Sequence, residues 1–187
     1  APILLINFYF GNYVSGVFGV IDKIADLGIR KNFAILVNKV LYPEALRTKE
    51  IKKNIILKLY FYLILVFFTV LAFCIFGANF IFSFFKGFNL NFFIYEYNFY
   101  MIAFFSLTLV DIGVFLSASL GSIKLRDIVT RTKSIIFPLL LITLVPQMGI
   151  NGVSLSFSIL VLVTLFLALH QIHSEKKQGI CKSTPNL

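Results

Sequence analysis

Leu59 to Phe76 is a run of eighteen residues without a formal charge, with Thr69 its one plainly polar side chain. A helix of about 20 mostly apolar residues crosses a hydrocarbon core about 30 Å thick. In that solvent the backbone must satisfy its own hydrogen bonds, so such a run reads as helix rather than open strand. The pattern recurs along the chain, and Ile159–Leu169 is almost entirely Leu, Val, Ile and Phe. Six candidate spans follow, at about 1–13, 15–43, 55–77, 97–120, 134–148 and 150–172, with a polar tail over 174–187. The first is short because the chain opens inside it. Ala1 begins an apolar stretch without a basic leader, which predicts a piece of a longer polypeptide rather than a signal peptide. The expected fold is therefore an all-α membrane protein.

Charge supports the same segmentation. Only 13% of the 187 residues are charged, against about 25% in soluble domains, yet the net charge is +9. On so apolar a chain the basic excess points to membrane loops rather than to nucleic acid. Arg47, Lys49, Lys52, Lys53 and Lys58 fall between the second and third spans. Lys124, Arg126, Arg131 and Lys133 fall between the fourth and fifth, and Lys176, Lys177 and Lys182 follow the sixth. The other connections hold Lys86 alone. Basic residues in alternate loops place those loops and the C-terminus in the cytoplasm. The Phe- and Tyr-dense stretch from Phe80 to Tyr100 reads as an interfacial belt at the opposite side.

The second span carries charges that need a reason. At about 100° per residue, Asp22, Lys23, Asp26 and Arg30 share one arc about 100° wide, with Gly19 among them, while Lys31 and Lys39 lie elsewhere. A charge at membrane depth is costly unless it faces water or a partner. Two readings follow. In one, the arc walls a transport path: Lys23 and Arg30 attract an anionic headgroup, Arg through bidentate hydrogen bonds, and Asp22 or Asp26 binds a coupling cation or proton. In the other, Asp22, Asp26 and Arg30 form a self-neutralising ladder. Asp111 stands in the fourth span without a cation in its own helix, so it is protonated, paired with another helix or wetted. Of the acids it is the better candidate for a coupling proton. Nearby Gly113, Ser117 and Ser119 also allow a plain packing role.

Pro138 and Pro146 punctuate the fifth span, and Gly149-Ile150-Asn151-Gly152 reads as a tight turn. His170 and His173 sit at the inner end of the last span, where interfacial placement explains them better than metal binding. No Gly-rich phosphate loop, metal-protease helix or nucleophile elbow appears. An enzyme is not expected, nor a cofactor.

Several stretches together resemble the bacterial O-antigen and capsule repeat-unit flippases (Wzx-type polysaccharide biosynthesis proteins) of the MATE-like MOP superfamily. Ser15–Ile24 resembles their G-x-Y/F-x-x-A-x-K-I stretch, and Val40-Leu41-Tyr42-Pro43 the LYP that closes that helix. Phe76-Gly77 with Lys86-Gly87, Leu120-Gly121 with Lys124, and Gly149–Val153 resemble later landmarks in the same order. The resemblance implies the C-terminal six of about twelve helices, the N-terminal half of the same polypeptide being a missing partner. It implies an inner-membrane protein with a cationic central cavity for an undecaprenyl-diphosphate-linked oligosaccharide, and makes Lys23 and Arg30 cavity residues. Asp22 departs from the pattern, standing where these proteins often carry a small residue. The rivals are a MATE-type cation or drug exporter, whose site is expected to be acidic and aromatic, and a membrane-embedded glycan polymerase or transferase.

The loop charges generate a topology test. Cysteines introduced at Asp127 and Lys182 should resist a membrane-impermeant thiol reagent in intact cells, while one at Asn89 should react. Labelling at 127 or 182 without labelling at 89 reverses the orientation.

Overall fold

The computed structural model describes residues 2–27, 31, 52–83, 90–119 and 123–182. Among these there is no strand. The helices are α1 (Pro2–Ala25), α2 (Lys52–Phe76), the short α3 (Ala78–Ser83), α4 (Ile94–Ser119), α5 (Ile123–Met148) and α6 (Ile150–Lys182), with a 3-10 turn at Leu90–Phe93 before α4. By length and composition four helical stretches suffice to cross a membrane, Pro2–Ala25, Ile94–Val114, Lys124–Met148 and Ile150–Gln171, the first only when its two limbs are counted together. The described residues are helical throughout apart from single turn residues, and their long apolar helices are those of a membrane protein.

The first stretch is not straight. At Gly11 the backbone takes φ 83° and ψ 176°, values that suit glycine and interrupt the helix. Ser15 Oγ lies 3.2 Å from Asn7 Oδ1. A β-carbon placed on Gly19 would stand 3.2 Å from Ile3 Cδ1. In a continuous helix residues 3 and 19 are about 24 Å apart. Both contacts are symmetric about residue 11, so α1 is a hairpin of two antiparallel limbs. The reversal expected between positions 13 and 15 occurs at Gly11, the residue in that stretch able to take the turn.

The remaining helices alternate in direction. Phe67 of α2 meets Phe105 of α4 with ring centroids 4.6 Å apart, and the Tyr97 hydroxyl donates to the Cys74 carbonyl at 3.2 Å. Phe137 of α5 stacks on Phe157 of α6 at 5.4 Å. The turns at Gly11, Gly77 and Gly149 consequently gather at one end of the bundle, where the Phe10 ring lies over Gly149. The N-termini of α2 and α5 and the C-terminus of α6, which carry most of the basic residues, gather at the other.

Helix α4 is the hub, packing against α1, α2, α5 and α6. Tyr97, Tyr100, Met101 and Phe105 are fully or almost fully buried, and they join Ile6, Phe18 and Ile21 of α1 and Val145 and Val153 of α5 and α6 in one core. Tyr97 and Tyr100 therefore leave the expected interfacial belt. Exposed Phe80, Phe92 and Tyr95 remain on the outside of that stretch. A phenol is tolerated inside when its hydroxyl finds an acceptor, and both do.

Helix α5 begins at Ile123, about three turns before the apolar span expected from 134. Those turns carry Lys124, Arg126, Arg131 and Lys133, but Lys and Arg are good helix formers. Leu125 and Val129, four apart on one face, pack with Val114 of α4 and against Leu167 and Ala168 of α6. The helix continues through Pro138 and Pro146. Likewise α6 carries its helical backbone into the tail as far as Lys182.

The α5–α6 turn depends on two glycines. Gly149 has φ 58° and its N–H donates to Val145 O at 2.9 Å, ending α5. At Gly152 a β-carbon would stand 2.5 Å from the Leu144 carbonyl oxygen and 2.9 Å from Val145 N. Both are backbone atoms that cannot swing away. Gly152→Ala should destabilise the protein by about 1–3 kcal/mol through overpacking. Gly149→Ala, which meets only ordinary contacts, should cost about 1–2 kcal/mol for its left-handed backbone. Thermal unfolding in detergent checks both, and an unshifted Gly152→Ala midpoint refutes the close approach.

Candidate functional site: a polar cavity within the bundle

Asp22 lies eleven residues beyond the Gly11 turn, about 16 Å down its limb at 1.5 Å per residue. One face of that limb, with Ser15, Phe18, Ile21 and Ala25, is buried. Asp22 is turned off this face, and its carboxylate accepts a hydrogen bond from the Tyr100 hydroxyl at 2.5 Å. Tyr100 is itself held in place. Its ring stands edge-on to Phe18 at 5.5 Å and lies parallel to Phe104 at 5.8 Å, with Phe157 at 5.6 Å.

These residues enclose a cavity of about 310 Å³. Asp22, Tyr100, Thr108 and Asp111 supply its polar wall; Phe104, Phe137 and Phe157 supply aromatic faces, and Pro2 of the first limb also lines it. Two sequence candidates from different helices, Asp22 and Asp111, thus share one site. Asp111 also forms an ion pair with Lys133 of α5. That cation comes from the neighbouring helix, so the absence of a cation in Asp111's own helix does not leave the carboxylate alone. Of the three fates open to Asp111, pairing across helices is the one adopted. Lys133 and Asp111 also line a second cavity of about 290 Å³ between α4 and α5, together with Arg126, Thr130 and Ser134.

The remaining candidates lie apart from this cavity. Lys23 is exposed and is not among the lining residues. Asp26 is half-buried and stands 3.8 Å from Lys31 Nζ. Uniform helical spacing sets Lys31 off the arc. The helix widens to a π turn at residues 26–27, where regular helical spacing no longer holds. Arg30 falls outside the described residues, as does most of the expected second span beyond it. His170 stacks with Phe166 at 6.5 Å near the end of the α6 span.

Tyr100 and Lys133 were not candidates on sequence grounds. For Lys133 a signal existed: residues equidistant from a helical hairpin's turn face each other, and 111 and 133 are each eleven positions from 122. For Tyr100 none did, because α1 and α4 are not consecutive.

The cavity combines two carboxylates with aromatic walls, a lining able to take a small cation or a proton. Comparison with family models, characterised proteins and solved structures yields no match to this chain.

The hydrogen bond between Tyr100 and Asp22 is open to a double-mutant cycle. Tyr100→Phe and Asp22→Asn should each lower thermal stability, and their coupling energy should be about 0.5–3 kcal/mol. Strictly additive effects remove the bond as a determinant of how α1 meets α4.

Proposed function

We propose that this chain is half of an alternating-access transporter, in which two helical halves rock around a polar site at membrane depth. One observation carries the transport reading: acidic side chains on α1 and α4 converge on a cavity inside helices that otherwise present apolar faces. Intramembrane acids of this kind are costly and ordinarily mark an ion or substrate path. Transport needs no chemical step from the chain, so the proposal includes neither catalysis nor a cofactor.

The proposed cargo is an undecaprenyl-diphosphate-linked oligosaccharide unit moved across the inner membrane, with the basic end of the bundle and the C-terminus in the cytoplasm. The ordered sequence resemblance supports this cargo, and so does the gathering of basic residues at one end. In this proposal Lys23 and Arg30 attract the diphosphate, while Asp22, Asp26 or Asp111 takes the coupling cation or proton. The Lys133 contact makes Asp111 a site where a coupling cation must displace an ammonium.

A second reading has its own observation. An acidic and aromatic wall around Asp22, Tyr100, Phe104 and Phe157 is what a MATE-type exporter of organic cations needs, since cations bind aromatic faces and carboxylates.

The two readings separate in cells whose surface glycan depends on the full-length protein. Under the flippase reading, Lys23→Ala or Arg30→Ala abolishes surface glycan while membrane abundance is retained, each lost charged hydrogen bond being worth about 1.5–3 kcal/mol. Normal surface glycan with both changed ends their substrate role. Resistance to a lipophilic cation that requires Asp22, with glycan unaffected, establishes the exporter instead.

A further inference from the structure

Between α4 and α5, toward the basic end of the bundle, lies the cavity of about 290 Å³ that holds Arg126, Thr130, Lys133 and Ser134. The four come from one stripe of α5, spaced at four, three and one residues, so they face the same groove. Across it stands Asp111 of α4. Lys133 is 17% exposed in its side chain, against 50% for Asp111. An ammonium has three N–H donors. Among the described residues Asp111 is the one acceptor that Lys133 meets. A mostly buried cation with spare donors, a guanidinium two turns away and the Thr130 hydroxyl between them is the donor set that recognises a phosphate.

The rest of α5 indicates where such a phosphate comes from. Ile135, Leu139 and Ile142 on the same helix are exposed. In a membrane protein that surface lies against acyl chains, so a headgroup entering the groove keeps its tails on the helix exterior.

We propose that the α4–α5 groove binds the phosphate group of an anionic membrane lipid, with Lys133 passing from Asp111 to the phosphate. In the structure as described, Lys133 is held by Asp111. A phosphate in the groove competes for the same ammonium, so whatever neutralises or engages Asp111 from the adjoining Asp22–Tyr100 cavity strengthens phosphate binding. By linkage the effect is reciprocal: a bound phosphate draws Lys133 away and leaves Asp111 open to a cation. The two cavities then communicate through one carboxylate shared by both walls. This site involves neither Lys23 nor Arg30. It is read by binding rather than by transport, so its failure leaves the transport reading standing.

The test uses the purified full-length protein in neutral detergent, titrated calorimetrically with dioctanoyl phosphatidic acid, dioctanoyl phosphatidylcholine and inorganic pyrophosphate. Phosphatidic acid should bind, and phosphatidylcholine, whose phosphate carries its own cation, should bind at least about tenfold more weakly. Arg126→Gln and Lys133→Gln should each weaken phosphatidic acid binding about tenfold, as the loss of one charged hydrogen bond requires. Asp111→Asn should tighten it about fivefold or more by removing the competitor. A gain of affinity cannot arise from misfolding, so this variant guards the test. Lys124→Gln, an exposed charge outside the groove, should change nothing. Equal affinity for the two lipids, or weakening by Lys124→Gln as large as by Arg126→Gln, reduces the groove to a generic basic surface and overturns the proposal. Weakening by Asp111→Asn overturns the sharing of Lys133, and pyrophosphate binding as tightly as phosphatidic acid overturns the lipid as source.

Discussion

The Tyr100 hydroxyl meets the Asp22 carboxylate at 2.5 Å, and much of the bundle is arranged around that contact. A carboxylate 16 Å or so down a limb of a membrane hairpin needs a donor or water. Tyr100 provides the donor from α4, and its ring, packed by Phe18, Phe104 and Phe157, ties α1 and α6 to the same helix. The polar need of one side chain and the packing of aromatic rings therefore select the same arrangement. That agreement between levels distinguishes a specified structure from a loose cluster of apolar helices.

The second cross-helix ionic contact extends the same logic. Asp111 is neutralised by Lys133, which sits on the portion of α5 that sequence alone assigns to a loop. Because α5 starts at Ile123, its basic residues are held in helical register rather than spread along a flexible connection. Register converts a run of positive charge into a directed set of donors. The same residues can thereby orient the chain in a membrane and line a groove.

Glycine governs how closely the helices come. Gly11 permits the reversal that folds the first limb onto the second, and Gly152 permits the backbone of α6 to touch that of α5. Without a strong hydrophobic drive between helices in lipid, such close approach is a main source of association. Phe10 packs over Gly149 and joins the two turns, which couples the hairpin tip to the α5–α6 junction.

The helical class, the alternating direction of the helices and the concentration of basic residues at one end were legible in the sequence. They depend on apolar run length and on charge placement, both one-dimensional quantities. Helical periodicity also identified Asp22 and Asp111 as residues needing an explanation. The partner of Asp111 was readable from its distance to the α4–α5 turn, whereas that of Asp22 was decided only in the tertiary structure. Tyr100 lies 78 positions from Asp22 in the chain and Lys133 lies 22 from Asp111. Local spacing carries no information about contacts between helices that are not neighbours. A reversal after the first span was legible too, but its place at Gly11 rather than between 13 and 15 was not, because a glycine inside an apolar run reads the same whether the helix continues or turns. Apolar solvent dictates that the chain be helical and that its charges find partners, while packing of one helix on another determines which partners those are.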